Sequence, residues 1–204
     1  MEHRFISLII LAALLLTSAL EPLVWAGVAT EQMRDTVDRV VAVIQDSRLK
    51  AAGGQAERRE RLRQAIGARF DFNEMAKRSL GPNWQRRTPE EQREFASLFA
   101  ALLEKAYADQ IEALHGDKIV FGRELLGQNH AEVDSKIFTA KREEFSVNYK
   151  LLATDGEWKV YDVVASDVSL INNYRSQFNL ILAKGSFAEL LRAMGDGPDD
   201  VSVK

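Results

Sequence analysis

The chain has 204 residues, 46% of them apolar, a formal net charge of −3 and no cysteine. That length supports one domain with a proper hydrophobic core. The missing cysteine excludes disulfides, thiol catalysis and thiolate metal sites, and the nearly neutral charge excludes the net basic surface that a nucleic-acid partner requires.

His3 and Arg4 open the chain, Phe5 to Leu16 is almost wholly apolar, and Val24-Trp25-Ala26 fits the small-residue rule for a cut after Ala26. This layout predicts a cleaved secretory signal peptide over residues 1–26. The alternative is an uncleaved membrane anchor. Against it, Glu21 and Pro22 close the apolar run short of the ~20 residues that span a bilayer. No cysteine stands at the cut to carry a lipid anchor. The expected mature protein is a soluble exported one, with a single domain over 27–194 and a mobile polar tail over 195–204.

Met33, Val37, Val40, Val41 and Ile44 form one apolar stripe, which predicts an amphipathic helix from Thr30 to about Lys50. Gly53-Gly54 breaks it, and Glu57 to Arg69 reads as a charged second helix anchored by Leu62 and Ile66. Asp71 with Glu74, and Thr88 with Pro89 and Glu91, are helix starts. The first opens a short helix stopped by Gly81-Pro82. The second opens the longest one, to about Leu114, with Phe95, Phe99, Leu102 and Leu103 on a wide apolar face.

From Lys118 the period changes to two, and four strands with short connections predict an antiparallel meander. Asp155-Gly156 is a tight-hairpin signal between the last two. The last strand runs without pause into a helix: WKVYDVVASDVSLINNYRSQF, Trp158 to Phe178. Simple alternation puts Trp158, Val160 and Val164 on one face and Tyr161, Val163 and Ala165 on the other, so both faces are apolar. Ser169 caps the following helix, Gly185 ends it, and a short helix carries Phe187, Leu190, Leu191 and Met194. The fold class is α+β, with helices packed on a curved four-stranded antiparallel sheet.

The search for chemistry returns mostly absences. There is no GxSxG elbow, no phosphate-cradling glycine loop and no dinucleotide fingerprint. His115 and His130 stand in no metal-like spacing, and no metal or cofactor is expected. Asp162 interrupts the apolar alternation of the last strand. It is either a general base or a partner for an arginine or backbone amide. Tyr149, Tyr161 and Tyr174 join an apolar ring to a polar tip, which suits the mouth of an apolar cavity. Arg175 can bind phosphate through paired N–H donors, or tie strand to helix.

FDFNEMAKRSLGPNW (Phe70 to Trp84), TPEEQREFASLFAALLEKAY (Thr88 to Tyr107) and the Trp158 to Phe178 stretch resemble the MlaC family of periplasmic phospholipid-binding proteins, also called the toluene-tolerance family. The resemblance runs from Thr30 to Met194. It implies a fold similar to the nuclear-transport-factor-2-like one, with an apolar cavity for phospholipid acyl chains between sheet and helices. It also implies no catalysis. The implied role is that of a monomeric periplasmic carrier, serving outer-membrane lipid asymmetry, between an outer-membrane lipoprotein complex and an inner-membrane ABC transporter with a substrate-binding-domain ring. The cargo is a phospholipid or a hopanoid-related lipid. Carried onto this chain, the lipid-binding set is Phe99, Leu102, Leu103, Val133, Ile137, Val147, Tyr149, Leu151, Val163 and Phe178, with Tyr107, Tyr161 and Arg175 near the mouth. Two other classes remain open: a small-molecule enzyme of the same cone-shaped fold with Asp162 as base, and an adaptor with a closed, dry core.

Overall fold

The structure is a computed structural model that describes residues 27–51, 53–114, 118–139 and 141–201. The expected signal peptide, His115 and the last three residues lie outside these ranges. Helix α1 spans Val28–Gln45 and buries Met33, Val40 and Ile44. It stops earlier than its apolar stripe predicts. Asp46 takes an extended conformation (ψ 111°) and its side chain caps a separate turn, α2 (Ser47–Lys50). The start of α1 has no cap of its own. A carboxylate from the sheet supplies one: Glu124 accepts from Gly27 N at 2.8 Å, Thr30 N at 2.8 Å and Thr30 Oγ1 at 2.6 Å.

Helix α3 (Gln55–Gly67) buries Leu62 and carries the arginine and glutamate pairs read from the sequence. Such exposed pairs contribute a few tenths of a kcal/mol each, roughly. Helix α4 (Phe72–Leu80) starts at Asp71, which accepts from Glu74 N at 2.9 Å, and ends at Gly81. Gly81 sits at φ 58°, ψ −134°, a region that only glycine occupies comfortably. One 3₁₀ segment, Gly81–Arg86, leads to α5 (Pro89–Glu112), which opens with the full Thr88/Glu91 capping box.

Five strands follow in sequential antiparallel order: β1 (Lys118–Leu126), β2 (His130–Phe138), β3 (Glu144–Thr154), β4 (Glu157–Ala165) and β5 (Val168–Ser169). The predicted hairpin is present, with both Asp155 (φ 51°) and Gly156 (φ 82°) in the left-handed region. The sequence reading of four strands misses β5. Ser166 (φ 48°) and Asp167 (φ 65°) turn the chain back at once, so that Val168 pairs with Ala165 and Ser169 with Val164.

The predicted face assignment of β4 is also corrected. Leu151 pairs with Val160 and Lys150 with Asp162, which leaves Tyr161 as one extra residue in the ladder. A bulge of this kind reverses the alternation beyond it. Trp158 and Val160 therefore share a face with Val163 and Ala165, not with Val164. The sheet has one apolar face, and Asp162 belongs to the other.

Helix α6 (Leu170–Lys184) is capped by Ser169, α7 (Phe187–Asp196) by a Ser186/Glu189 capping box, and a last turn, α8, spans Pro198–Val201. Within the stretch expected as a polar tail, the chain is helical over much of its length as far as Val201. That side chain is fully buried among the helices, and Lys105 Nζ donates to Asp196 O at 2.7 Å. An isolated valine near a polar terminus carries no periodicity that would reveal this.

Apolar packing divides into three clusters. One joins α4 to α8 around Phe95, Phe99, Tyr174 and Phe178. A second sets Ala29 and Met33 of α1 on Ala131, Val133, Leu151, Trp158 and Val160 of the sheet. A third joins Val40 and Ile44 of α1 to Leu62 of α3, with Ile111 and Leu114 beside them. Buried Asp162 ties sheet to helices. Its Oδ2 accepts from Ser169 Oγ at 2.7 Å and its Oδ1 from Ile171 N at 3.1 Å. Hydrogen bonds to a charged acceptor stabilise by about 1.5–3 kcal/mol each. Asp162→Ala should lower unfolding stability by roughly 2–4 kcal/mol, read as a drop in the urea midpoint with the slope unchanged.

Candidate functional site

The register lays the apolar face out in cross-strand rows. Ala131, Leu151 and Val160 form one row, Val133, Tyr149 and Val163 the next, Phe121, Ser135, Val147 and Ala165 a third, and Ile119, Ile137 and Phe145 the last. Burial falls along this series. Leu151 and Val160 are fully buried beneath α1, whereas Phe145 is 44% exposed. The helices therefore cover one end of the face and leave the other partly open. An apolar surface left uncovered costs about 25 cal/mol per Å² relative to a buried one.

Tyr149 sits in the middle of the face. Burial raises its phenol pKa, and a hydrogen bond with Ser135 acts in the opposite direction. The residue is half-buried. Ser135 is itself buried and donates to Val147 O at 3.3 Å, so two hydroxyls stand within an otherwise apolar surface.

The predicted binding residues fall into separate groups. Ile137, Val147, Tyr149 and Val163 lie together on the partly open rows. Val133 and Leu151 lie on the same face, beneath the α1 contact. Phe99, Leu102, Leu103 and Phe178 belong to the closed helical cluster, where Phe99 and Phe178 rings stand 5.8 Å apart. Tyr107 is at the margin of that cluster, hydrogen-bonded to Tyr174, whose pKa burial raises strongly.

Tyr161 and Arg175 lie elsewhere, at a polar cleft on the β4 side. The Arg78 guanidinium lies 3.9 Å from the Tyr161 ring centre, and Arg175 Nε donates to Arg78 O at 2.8 Å. Arg78, Lys150 and Ser135 were not picked from the sequence. Ser135 carried a readable signal, as a polar residue in the apolar alternation Ala131, Val133, Ser135, Ile137. Lys150 and Arg78 carried none, because each looks like any solvated lysine or arginine. Both oxygens of Asp162 are engaged at the start of α6, which favours the structural reading of that residue over a general base. His130 is exposed, with its ring edge-on to Tyr161. Among the described residues no cluster of three or more His, Asp or Glu side chains is placed to hold a metal ion.

These features define an α+β protein whose antiparallel meander offers an apolar face that its own helices cover at one end only. The chain belongs to the MlaC family, whose model, described as MlaC protein, matches residues 34–196. Among solved structures, the phospholipid-binding protein from Ralstonia solanacearum, in complex with a phospholipid, matches with a TM-score of 0.74. The two are 25% identical, and the match covers 82% of this chain and 95% of that one. No curated protein matches the chain.

All four tyrosines have phenol pKa values raised by burial. In the unfolded chain they ionise near 10, roughly. Above that pH the unfolded state holds fewer protons than the native state, so stability is complete below pH ~10 and falls as pH rises further. Absorbance at 295 nm should show little phenolate in the native protein at pH 10.5 and substantial phenolate in urea. The urea midpoint should be lower at pH 11 than at pH 9.

Proposed function

We propose that this protein is a periplasmic phospholipid carrier that takes acyl chains against the open rows of its sheet and catalyses no reaction. One observation carries the reading: the sheet's apolar face is buried beneath α1 at one end and partly uncovered at the other, with half-buried Tyr149 between them. Family membership and the lipid-bound Ralstonia solanacearum structure support it. The physical need is clear. Each CH₂ withdrawn from water is worth ~0.8 kcal/mol, so a tail of roughly 16 carbons carries more than ten kcal/mol against crossing the aqueous space. A protein surface that receives the tails removes most of that barrier.

The carrier exchanges its cargo between an outer-membrane lipoprotein complex and an inner-membrane ABC transporter with a substrate-binding-domain ring, and works as a monomer. Among the described residues no helix is long and apolar enough to cross a membrane. Export follows from cleavage after Ala26. The contact of Gly27 N with Glu124 supports that position, because a new α-ammonium at Gly27 would meet a carboxylate. Terminal sequencing of the exported protein should read Gly-Val-Ala-Thr. Glu124→Gln should lower the stability of that product, measured by urea unfolding, by about 1–3 kcal/mol.

Native mass spectrometry of protein purified without detergent should show a bound phospholipid, and fragmentation separates glycerophospholipid from hopanoid-type cargo. Repeated preparations free of lipid would refute the reading. Val163→Trp, beside Tyr149, should reduce lipid occupancy severalfold with a small change in stability. Phe99→Trp, in the closed helical cluster, should instead cost about 1–3 kcal/mol of stability.

A further inference from the structure

A cleft of about 240 Å³ lies between β3, β4 and the start of α6. Lys150 and Asp162, which line it, are on the face of the sheet opposite Tyr149 and Val163. Three cations, Arg78, Lys150 and Arg175, meet one carboxylate there. The carboxylate is already occupied, with its oxygens accepting from Ser169 Oγ at 2.7 Å and Ile171 N at 3.1 Å.

The cations differ in availability. Arg78 is engaged: its Nε donates to Glu74 at 2.8 Å and its guanidinium stacks on Tyr161. Arg175 is half engaged. Its Nε donates to Arg78 O at 2.8 Å, which fixes the plane of the fork. Its terminal nitrogens have no acceptor among the described residues, and neither has Lys150 Nζ. Both side chains are half-buried. The backbone N–H groups of Ile171 and Asn172 do not contribute, because Asp162 and Ser169 already hold them.

Arg175 and Lys150 line one cleft, and with no acceptor for their terminal nitrogens among the described residues these donors are open to an anion. A preset guanidinium fork beside a point-charge ammonium suits a tetrahedral oxyanion, the fork giving two parallel hydrogen bonds. We propose that this cleft binds a phosphate group, held by the Arg175 fork and the Lys150 ammonium, with the Asn172 amide and Tyr161 hydroxyl at its rim. The group is either a free phosphate or the head-group phosphodiester of a lipid other than one seated on the Tyr149 face, because the sheet separates the two surfaces. The site stands on the cleft itself.

Titration calorimetry of the purified protein at low salt tests it with three probes: sodium phosphate, monomeric dihexanoylphosphatidylglycerol, and dihexanoylglycerol, which has no phosphate. At least one phosphate-bearing probe should bind, and Lys150→Gln and Arg175→Gln should each weaken it about tenfold or more, the effect expected for one charge-assisted hydrogen bond. Any affinity for dihexanoylglycerol should be unchanged. Binding of phosphate alone assigns the free anion, and binding of the short-chain lipid without phosphate assigns the head group. Lys150 Nζ has no partner to lose among the described residues, so that variant decides the matter if Arg175→Gln disturbs the fold. No binding of either phosphate-bearing probe, or binding that Lys150→Gln leaves unchanged, overturns the site. Co-purified lipid alongside that failure leaves the carrier reading intact. A lipid-free protein with Lys150-dependent phosphate binding does the reverse.

Discussion

The extra residue at Tyr161 is the constraint on which the rest of the structure depends. Before it, Trp158 and Val160 face α1; after it, Val163 and Ala165 continue the same apolar face. A regular strand would turn Val163 and Ala165 away and bring Asp162 onto the apolar surface. The bulge instead directs the carboxylate to the opposite face, where it holds the first turn of α6. One inserted residue thus keeps one face of the sheet apolar and anchors the helical layer.

The free edge of β4 is secured by a second device at the same place. Val160 N donates to Arg69 O and Asp71 N to Val160 O, both at 2.9 Å, so the chain before α4 extends the sheet by one bridge. The Arg69 side chain is 6% exposed and donates to Gln32 Oε1 at 2.7 Å, Trp158 O at 2.6 Å and Thr36 Oγ1 at 3.2 Å. Desolvation lowers its pKa, yet these neutral acceptors satisfy it in place of a carboxylate. Helix α1, the sheet and the start of α4 are joined through this guanidinium. Removing it would take a donor from the Trp158 carbonyl and leave Gln32 Oε1 with Trp158 N alone.

A domain of this size ordinarily gathers its apolar side chains into one contiguous core. Here they form three clusters, with Phe70 packed against both the helical cluster and the sheet cluster. Phe95 and Phe99 stack, and Phe178 meets both rings edge-on, at the centre of the helical layer. The open rows of the sheet lie apart from that helical packing. The basic cleft beyond β4 places unpaired charge on the opposite face.

Local chemistry was legible in the sequence. The Thr88 capping box, the Asp71 and Ser169 caps, the Asp155-Gly156 hairpin and the α+β order of elements each depend on a few neighbouring residues, whose preferences act before the chain folds. The quoted stretches also carried the family resemblance. Other features depend on partners distant in sequence. The bulge needs the register of β3, and the burial of Val201 needs the assembled helices. The division between open sheet face and closed helical core needs α1 in place. An apolar residue looks the same in sequence whether it meets protein or a ligand. The sequence by itself determined which residues seek an apolar surface; only the tertiary structure decided which of those surfaces the protein covers itself, because burial is shared among elements that meet only on folding.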